Sequence, residues 1–509
     1  IDFDDVETFR LAAAVKGLSS QRTGFVPGVT NLNADFILGN NRLMATLHGE
    51  AVSIDFGDEF RAPLRADSIN MEVTMNRLPT GNLLFVADEF QLRNPDIKAV
   101  GRLRLETDGQ NAPFMYLRAN FTDTHANSTG KYLPVKLMST GIIEWLDRGI
   151  VGGYVPAGDL QFHGRLQDIV KLAHEHAGEF FVDFSVQQAE IFFAPDWLHA
   201  RNGKGQILFH NVGMEFDLEQ ASYENIDGIK VRGKIADFHH ASLDLTIHAE
   251  APTRDAVRVW RDTPVGEGFR EVLANLQDYG GTVSIAIDMR LPLSDKVTEP
   301  RVSVEVDFKN AATRAPGWGV DLSHITGRLK VVGDTINARG ISARFFDDPV
   351  GIDINSENTA LSTQVSVAGN LASANLLKQL PVYLREAVTG DSDWQVGLVI
   401  SGDSAPAEEP FLRINATSNL DGTTLDMPQP FRNEGPDSRR VTADVDFFPQ
   451  EIHFLSRIGD DIMGRGSLGN RDDGEYRLEA LEFAFSRALG AERRPGIHLA
   501  GRINEVNID

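Results

Sequence analysis

The 509-residue chain contains no cysteine. That excludes a disulfide framework, a thiolate metal site and a cysteine nucleophile, and it suits an oxidising compartment. No apolar run approaches the ~20 residues of a membrane-spanning helix, and no secretory leader opens the chain. It begins at Ile1 and reaches Asp509 in mid-pattern, so it reads as a piece of a longer protein. Basic residues are in deficit, 49 Lys and Arg against 73 Asp and Glu, for a net charge of −24. Such a surface repels polyanions, which argues against nucleic acid as a partner and against a basic patch for anionic lipid. Tyrosine and tryptophan are scarce, 7 and 5, beside 30 phenylalanines. Phenylalanine is the aromatic without a polar handle, suited to surfaces that meet only apolar matter, although ordinary cores use it too.

What is there is alternation. Val283, Ile285, Ile287, Met289 and Leu291 fall on one face of a strand, with Ser284, Asp288 and Arg290 on the other. Val302, Val304, Val306 and Phe308 repeat the pattern, as do Val182, Phe184 and Val186, and Leu243, Leu245 and Ile247; Leu398 and Ile400 extend the set. Turn signals such as GNN (39–41), NGKG (202–205), VVGD (331–334) and DDGE (472–475) separate such runs. The class is mainly β and antiparallel.

Helical signals are few and recur. In 131–153, Ser139 is placed to cap a helix, Ile142, Trp145, Leu146 and Ile150 form its stripe, and Gly149, Gly152 and Gly153 end it. A second stripe holds Phe269, Val272, Leu273 and Leu276, and a third Leu377, Leu380, Leu384 and Val388. Starts near 139, 267 and 377 give a unit of about 110 to 130 residues, a helix followed by a meander. A sheet with one apolar face must cover it, and three short helices cannot cover so much strand. Either sheets pack as sandwiches, or one long sheet curls over its own apolar face and leaves a trough that needs an occupant.

Chemistry finds little footing. Gly464–Gly469 matches G-x-G-x-x-G but lacks a following helix, so it reads as a glycine-rich hairpin. His174 and His176 lack the i, i+4 spacing of a helical zinc pair, and His239 and His240 would point to opposite faces of a strand. Asp347 with Asp348, and Asp460 with Asp461, read as solvated turns rather than catalytic dyads. No catalytic residue, metal ligand or cofactor site is expected.

The stretch YLPVKLMSTGIIEWLDRGIVGGYV (132–155) resembles the signature of the YhdP family of AsmA-like bacterial envelope proteins. FFAPDW, DTPV, DMRLPL, ITGRLKVVGD, ARFFDDPV and SNLDGTTLDMPQPF follow in family order, so the resemblance spans roughly residues 100 to 450. Departures are Met427 where leucine is usual, no basic residue in the expected place after PQPF, and LQDIVKL in place of a phenylalanine-proline-rich stretch. The resemblance implies an elongated, curved antiparallel sheet, a groove of repeat-like build with a few short amphipathic helices. It implies a segment of a non-enzymatic, periplasm-spanning bridge, anchored in the inner membrane by a part not present here, that carries phospholipid toward the outer membrane. Its partners would be phospholipid acyl chains and, through those other parts, both membranes.

The organisation expected is an N-terminal groove segment (1–130), a core of helix-plus-meander repeats (131–403) and a continuing groove segment (404–509). The groove lining expected is the fifteen residues Val182, Phe184, Val186, Leu243, Leu245, Ile247, Val283, Ile285, Ile287, Val302, Val304, Val306, Phe308, Leu398 and Ile400. The alternative is a closed β-sandwich scaffold of the envelope with the same alternation and no conduit; an envelope hydrolase would need a convergent polar pocket.

Overall fold

A computed structural model describes residues 10–24, 26–39, 42–133, 135–165, 178–192, 197–238, 242–263, 270–293, 301–316, 320–333, 335–356, 362–376, 386–401, 408–427, 430–434, 439–470, 476–490 and 495–502. Their 27 strands form one open, mainly antiparallel sheet. Contacts divide the chain into two compact units, residues 1–249 with 287–301, and residues 250–286 with 302–509.

In the first unit the strands are β1 (Arg10–Ser20), β2 (Gly28–Gly39), β3 (Arg42–Asp55), β4 (Leu64–Arg77), β5 (Leu83–Arg93), β6 (Lys98–Thr107) and β7 (Phe114–His125). A helix, α1 (Thr140–Gly149), leads to β8 (Ile150–Arg165), β9 (Gly178–Ile191), β10 (Ala200–His210), β11 (Gly213–Tyr223), β12 (Ile226–Ile235) and β13 (Ser242–Pro252). Each strand pairs antiparallel with the next, as local hairpins dictate.

The second unit begins at Glu250, in the last residues of β13, and continues with α2 (Thr253–Asp262) and α3 (Arg270–Asn275). β14 (Gln277–Pro292) divides between the units at Ala286. Then come β15 (Arg301–Ala315), β16 (Val320–Val332), β17 (Thr335–Phe345), β18 (Asp348–Ser356), β19 (Ser362–Ala372), the short α4 (Ser373–Leu376) and β20 (Val388–Ser401). β21 (Leu412–Ser418), β22 (Thr423–Leu425), β23 (Val441–Phe447), β24 (Glu451–Ile458), β25 (Ile462–Asn470), β26 (Tyr476–Phe485) and β27 (Gly496–Gly501) complete it. β21 pairs directly with β23, so β22 stands off the ladder against the start of β20. β27 runs parallel to β26. Helical connections follow β7, β13 and β19, six strands apart in chain order.

Several local expectations need correction. Ser139 occupies the N-cap position of α1, yet its hydroxyl makes no capping bond and is buried without a partner among the described residues. Ile150, Gly152 and Gly153 belong to β8, and Val388 opens β20 rather than closing a helix. α2, with Trp260 against the apolar cluster of the second unit, was not foreseen. The NGKG stretch lies inside β10, where Asn202 takes a left-handed φ of 55° as a bulge. Gly464–Gly469 lies inside β25, not in a hairpin, and Asp348 begins β18. Phe269, Leu377, Leu380, Leu384, His174, His176, His239, His240 and the DDGE turn fall outside the described residues.

Candidate functional site

Strand register turns alternation into a surface. Directly opposed residues in the first unit run Val15, Ala34, Leu47, Met71, Phe90, Gly101, Ala119, Leu160, Val182, Phe209, Met214, Ile235 and Leu243, one from each strand from β1 to β13. The second unit has a matching row across β15 to β26: Val306, Leu329, Ala338, Ile354, Val365, Leu398, Ile414, Val445, Phe454, Gly466 and Leu481. Neither row contains a polar side chain. Because side chains alternate strictly, one polar residue in register would have broken it.

The two glycines are not gaps. A Cβ on Gly101 would lie 2.7 Å from the ring of Phe90, its cross-strand partner. The same arrangement holds for Gly158 beneath Phe121, Gly233 beneath Phe216, Gly464 beneath Phe483 and Gly466 beneath Phe454. A phenylalanine laid over a glycine fills the pleat without a polar atom.

The fifteen residues expected to line a groove are in part buried and in part half-buried. Val186, Leu243, Leu245 and Val283 are buried, at 2%, 0%, 3% and 1% exposure. Val182, Phe184, Ile247, Ile285, Ile287, Val302, Val304, Val306, Phe308, Leu398 and Ile400 are half-buried. Register joins Val182 and Leu243 in one row, and Val306 with Leu398 in the other. In the second unit Val304, Val306 and Phe308 pack on the buried cluster that includes Leu329, Val331, Ala338 and Ile341, with Trp260 of α2 and Leu376 of α4 against it. Sequence reading missed the strands before residue 100 as named lining, and it missed the switch of parity at bulges. After Asn310 (φ 55°) the inward residues of β15 become Ala311 and Ala315, each 1% exposed.

Cross-strand ion pairs lie on the opposite face. Arg328 pairs with Asp307 (2.7 Å), Lys330 with Glu305 (2.9 Å), Arg413 with Asp446 (2.7 Å) and Arg232 with Asp217 (3.0 Å), each across neighbouring strands. Hydrogen bonds from their cations hold the Asp307 and Glu305 carboxyls below the usual carboxylate range. These exposed pairs carry little stability individually, but they mark which face meets water.

One end of the sheet in the first unit is tied by side chains. Arg61 makes a bidentate pair with Asp147 of α1 (2.8 and 2.7 Å), and Lys136 reaches Glu59 (3.2 Å). Asp96 accepts from Ser128 (2.9 Å) and Lys131 (2.6 Å). Burial pushes the Asp96 carboxyl up, but Lys131, Ser128 and Tyr132 together hold it below its ordinary value. Ile142 and Leu146 of α1 are buried at 0% and 4% exposure. Among the described residues no group of three or more His, Asp or Glu is placed to hold a metal, and no helix is long and apolar enough to cross a membrane.

The chain is 21% identical over 462 residues, 89% of its length, to the "Intermembrane phospholipid transporter YhdP" of Escherichia coli strain K12. It spans about a third (35%) of that relative. The family model described as YhdP protein matches residues 2–509, and with almost every residue inside that match the chain belongs to the YhdP family.

Proposed function

We propose that this chain is a segment of a non-enzymatic conduit that passes phospholipids between the inner and outer membranes of a Gram-negative envelope. Acyl chains lie on the apolar face while headgroups stay toward water. The observation that carries this reading is the uninterrupted apolar row in each unit. An acyl chain on such a face is withdrawn from water at about 0.8 kcal/mol per CH₂, and chemically similar neighbours leave no deep trap between one strand and the next. A row of catalysis would need a polar break, and neither row has one. Anchorage in the inner membrane and contact with both membranes fall to parts of the protein beyond this segment. Within it, residues 131–403 form the repeat core, flanked by groove segments 1–130 and 404–509.

The test is site-specific photo-crosslinking in cells labelled with radioactive phosphate. Probes at Val283, Ile285, Val304 and Val306 should capture labelled lipid, and probes at the outward Ser284 and Asp288 should not. Equal capture from both faces, or none from either, rejects a lipid-conducting face and returns the chain to a structural scaffold.

A further inference from the structure

The segment between β21 and β23 does more than join them. β22 pairs with Val388–Gly390 at the start of β20, and Leu425 forms an isolated bridge with Asn433. Asn433, 4% exposed, donates from Nδ2 to the Thr423 carbonyl (2.8 Å). Buried hydroxyls of Ser392 and Thr423 bond to each other, and Arg439 donates to the carbonyl of Pro430 (2.8 Å). So anchored, the segment places Phe431 edge-on against Phe483 and Phe485 of β26, with ring centroids 6.0 and 5.9 Å away.

The position is informative. In ladder order β26 lies five strands from β20, past β21, β23, β24 and β25. Phe483 is an inward residue, the ring over Gly464, so Phe431 sits on the apolar side. The inward row that ends at Phe483 is small along its middle: Ala416, Ala443 and Ser456 are opposed in turn, before Gly464, which the Phe483 ring covers. The adjoining row, Ile414, Val445 and Phe454, is large. A tethered aromatic thus stands at the β26 end of this small-residue row, on the face an acyl chain crossing these strands would follow.

We propose that Phe431, held on Phe483 and Phe485, sets the cross-section open to an acyl chain over β20–β26 and is a specificity-determining residue of the conduit. This rests on the lipid-conducting reading. Removing its ring widens the path; enlarging it narrows the path.

The experiment uses the purified chain with phosphatidylethanolamine bearing a diazirine at the end of one acyl chain. After irradiation, peptide mass spectrometry compares label on 464–483 with label on 352–367 in the native chain, Phe431→Ala and Phe431→Trp. Phe431→Ala should raise that ratio about tenfold, the discrimination that methylene-sized changes bring to an apolar pocket. Phe431→Trp should lower it, with both variants melting as the native chain does; the opposite response of Trp guards against local unfolding in Ala. Label on inward residues with a ratio unmoved in both variants overturns the role of Phe431 and leaves the conduit standing. No inward label in any of the three chains overturns the conduit itself, and Phe431 with it.

Discussion

A phenylalanine ring over a glycine is the device that recurs at the scale of single residues. Among the described residues Phe90, Phe121, Phe216, Phe454 and Phe483 serve this way, each with no hydroxyl or indole N–H to satisfy. Gly233→Ala drives a Cβ into the Phe216 ring. Overpacking of that kind should cost about 1–3 kcal/mol, read as a lower denaturant midpoint, and Phe216→Leu in the same chain should recover part of it. Gly228, already at φ +70° with open space around it, should lose stability to alanine through backbone strain instead. The excess of phenylalanine was visible in the sequence, but its partners were not, because register decides which glycine each ring covers. For the same reason Gly464–Gly469 read as a hairpin: glycine signals a turn until a cross-strand ring is known to fill its place.

At the scale of elements, alternation named the strands well, as in β9, β13, β14 and β15. It failed where left-handed residues insert a bulge, since Gln188, Asn202 and Asn310 are polar or turn-forming side chains whose conformation only the ladder explains. Helix reading failed differently. The stripe of α1 was legible from Ile142 and Leu146, and its N-cap position from Ser139; the capping bond was not, because that hydroxyl is buried and finds no partner among the described residues. What fixes this region is tertiary, and Asp96 is central to it. Its folded pKa is depressed, so its contribution is fully present above the ordinary Asp value of about 3.9 and is lost as pH falls through the lower folded value. Below about pH 4, residues 126–149 should therefore lose amide protection before β7 does, once intrinsic exchange rates are corrected for pH. Asp96→Asn should show reduced protection there already at pH 7 and little further acid dependence. Equal protection of the two regions throughout the titration would show that Asp96 does not hold this segment.

At the scale of the whole chain, a conduit differs from a set of binding sites in how its parts combine. Steps in series share one flux, so a single blocked position stops it wherever that position lies. An aspartate at Val182, Ile285 or Leu398 places a carboxylate on the apolar face, where dehydrating it without a partner costs several kcal/mol. Each substitution alone should abolish transfer of labelled phospholipid in cells, to the same extent despite their spread from β9 to β20. Any two together should do no further harm. Independent sites would behave otherwise: each aspartate would remove its own share of bound lipid, and the losses would add. The outward substitution Arg413→Ala, which breaks the exposed pair with Asp446, should leave transfer unchanged, because it alters only the face that meets water. Comparing single and double aspartate variants at equal protein abundance therefore separates passage along the sheet from storage on it, and additive partial losses would exclude passage.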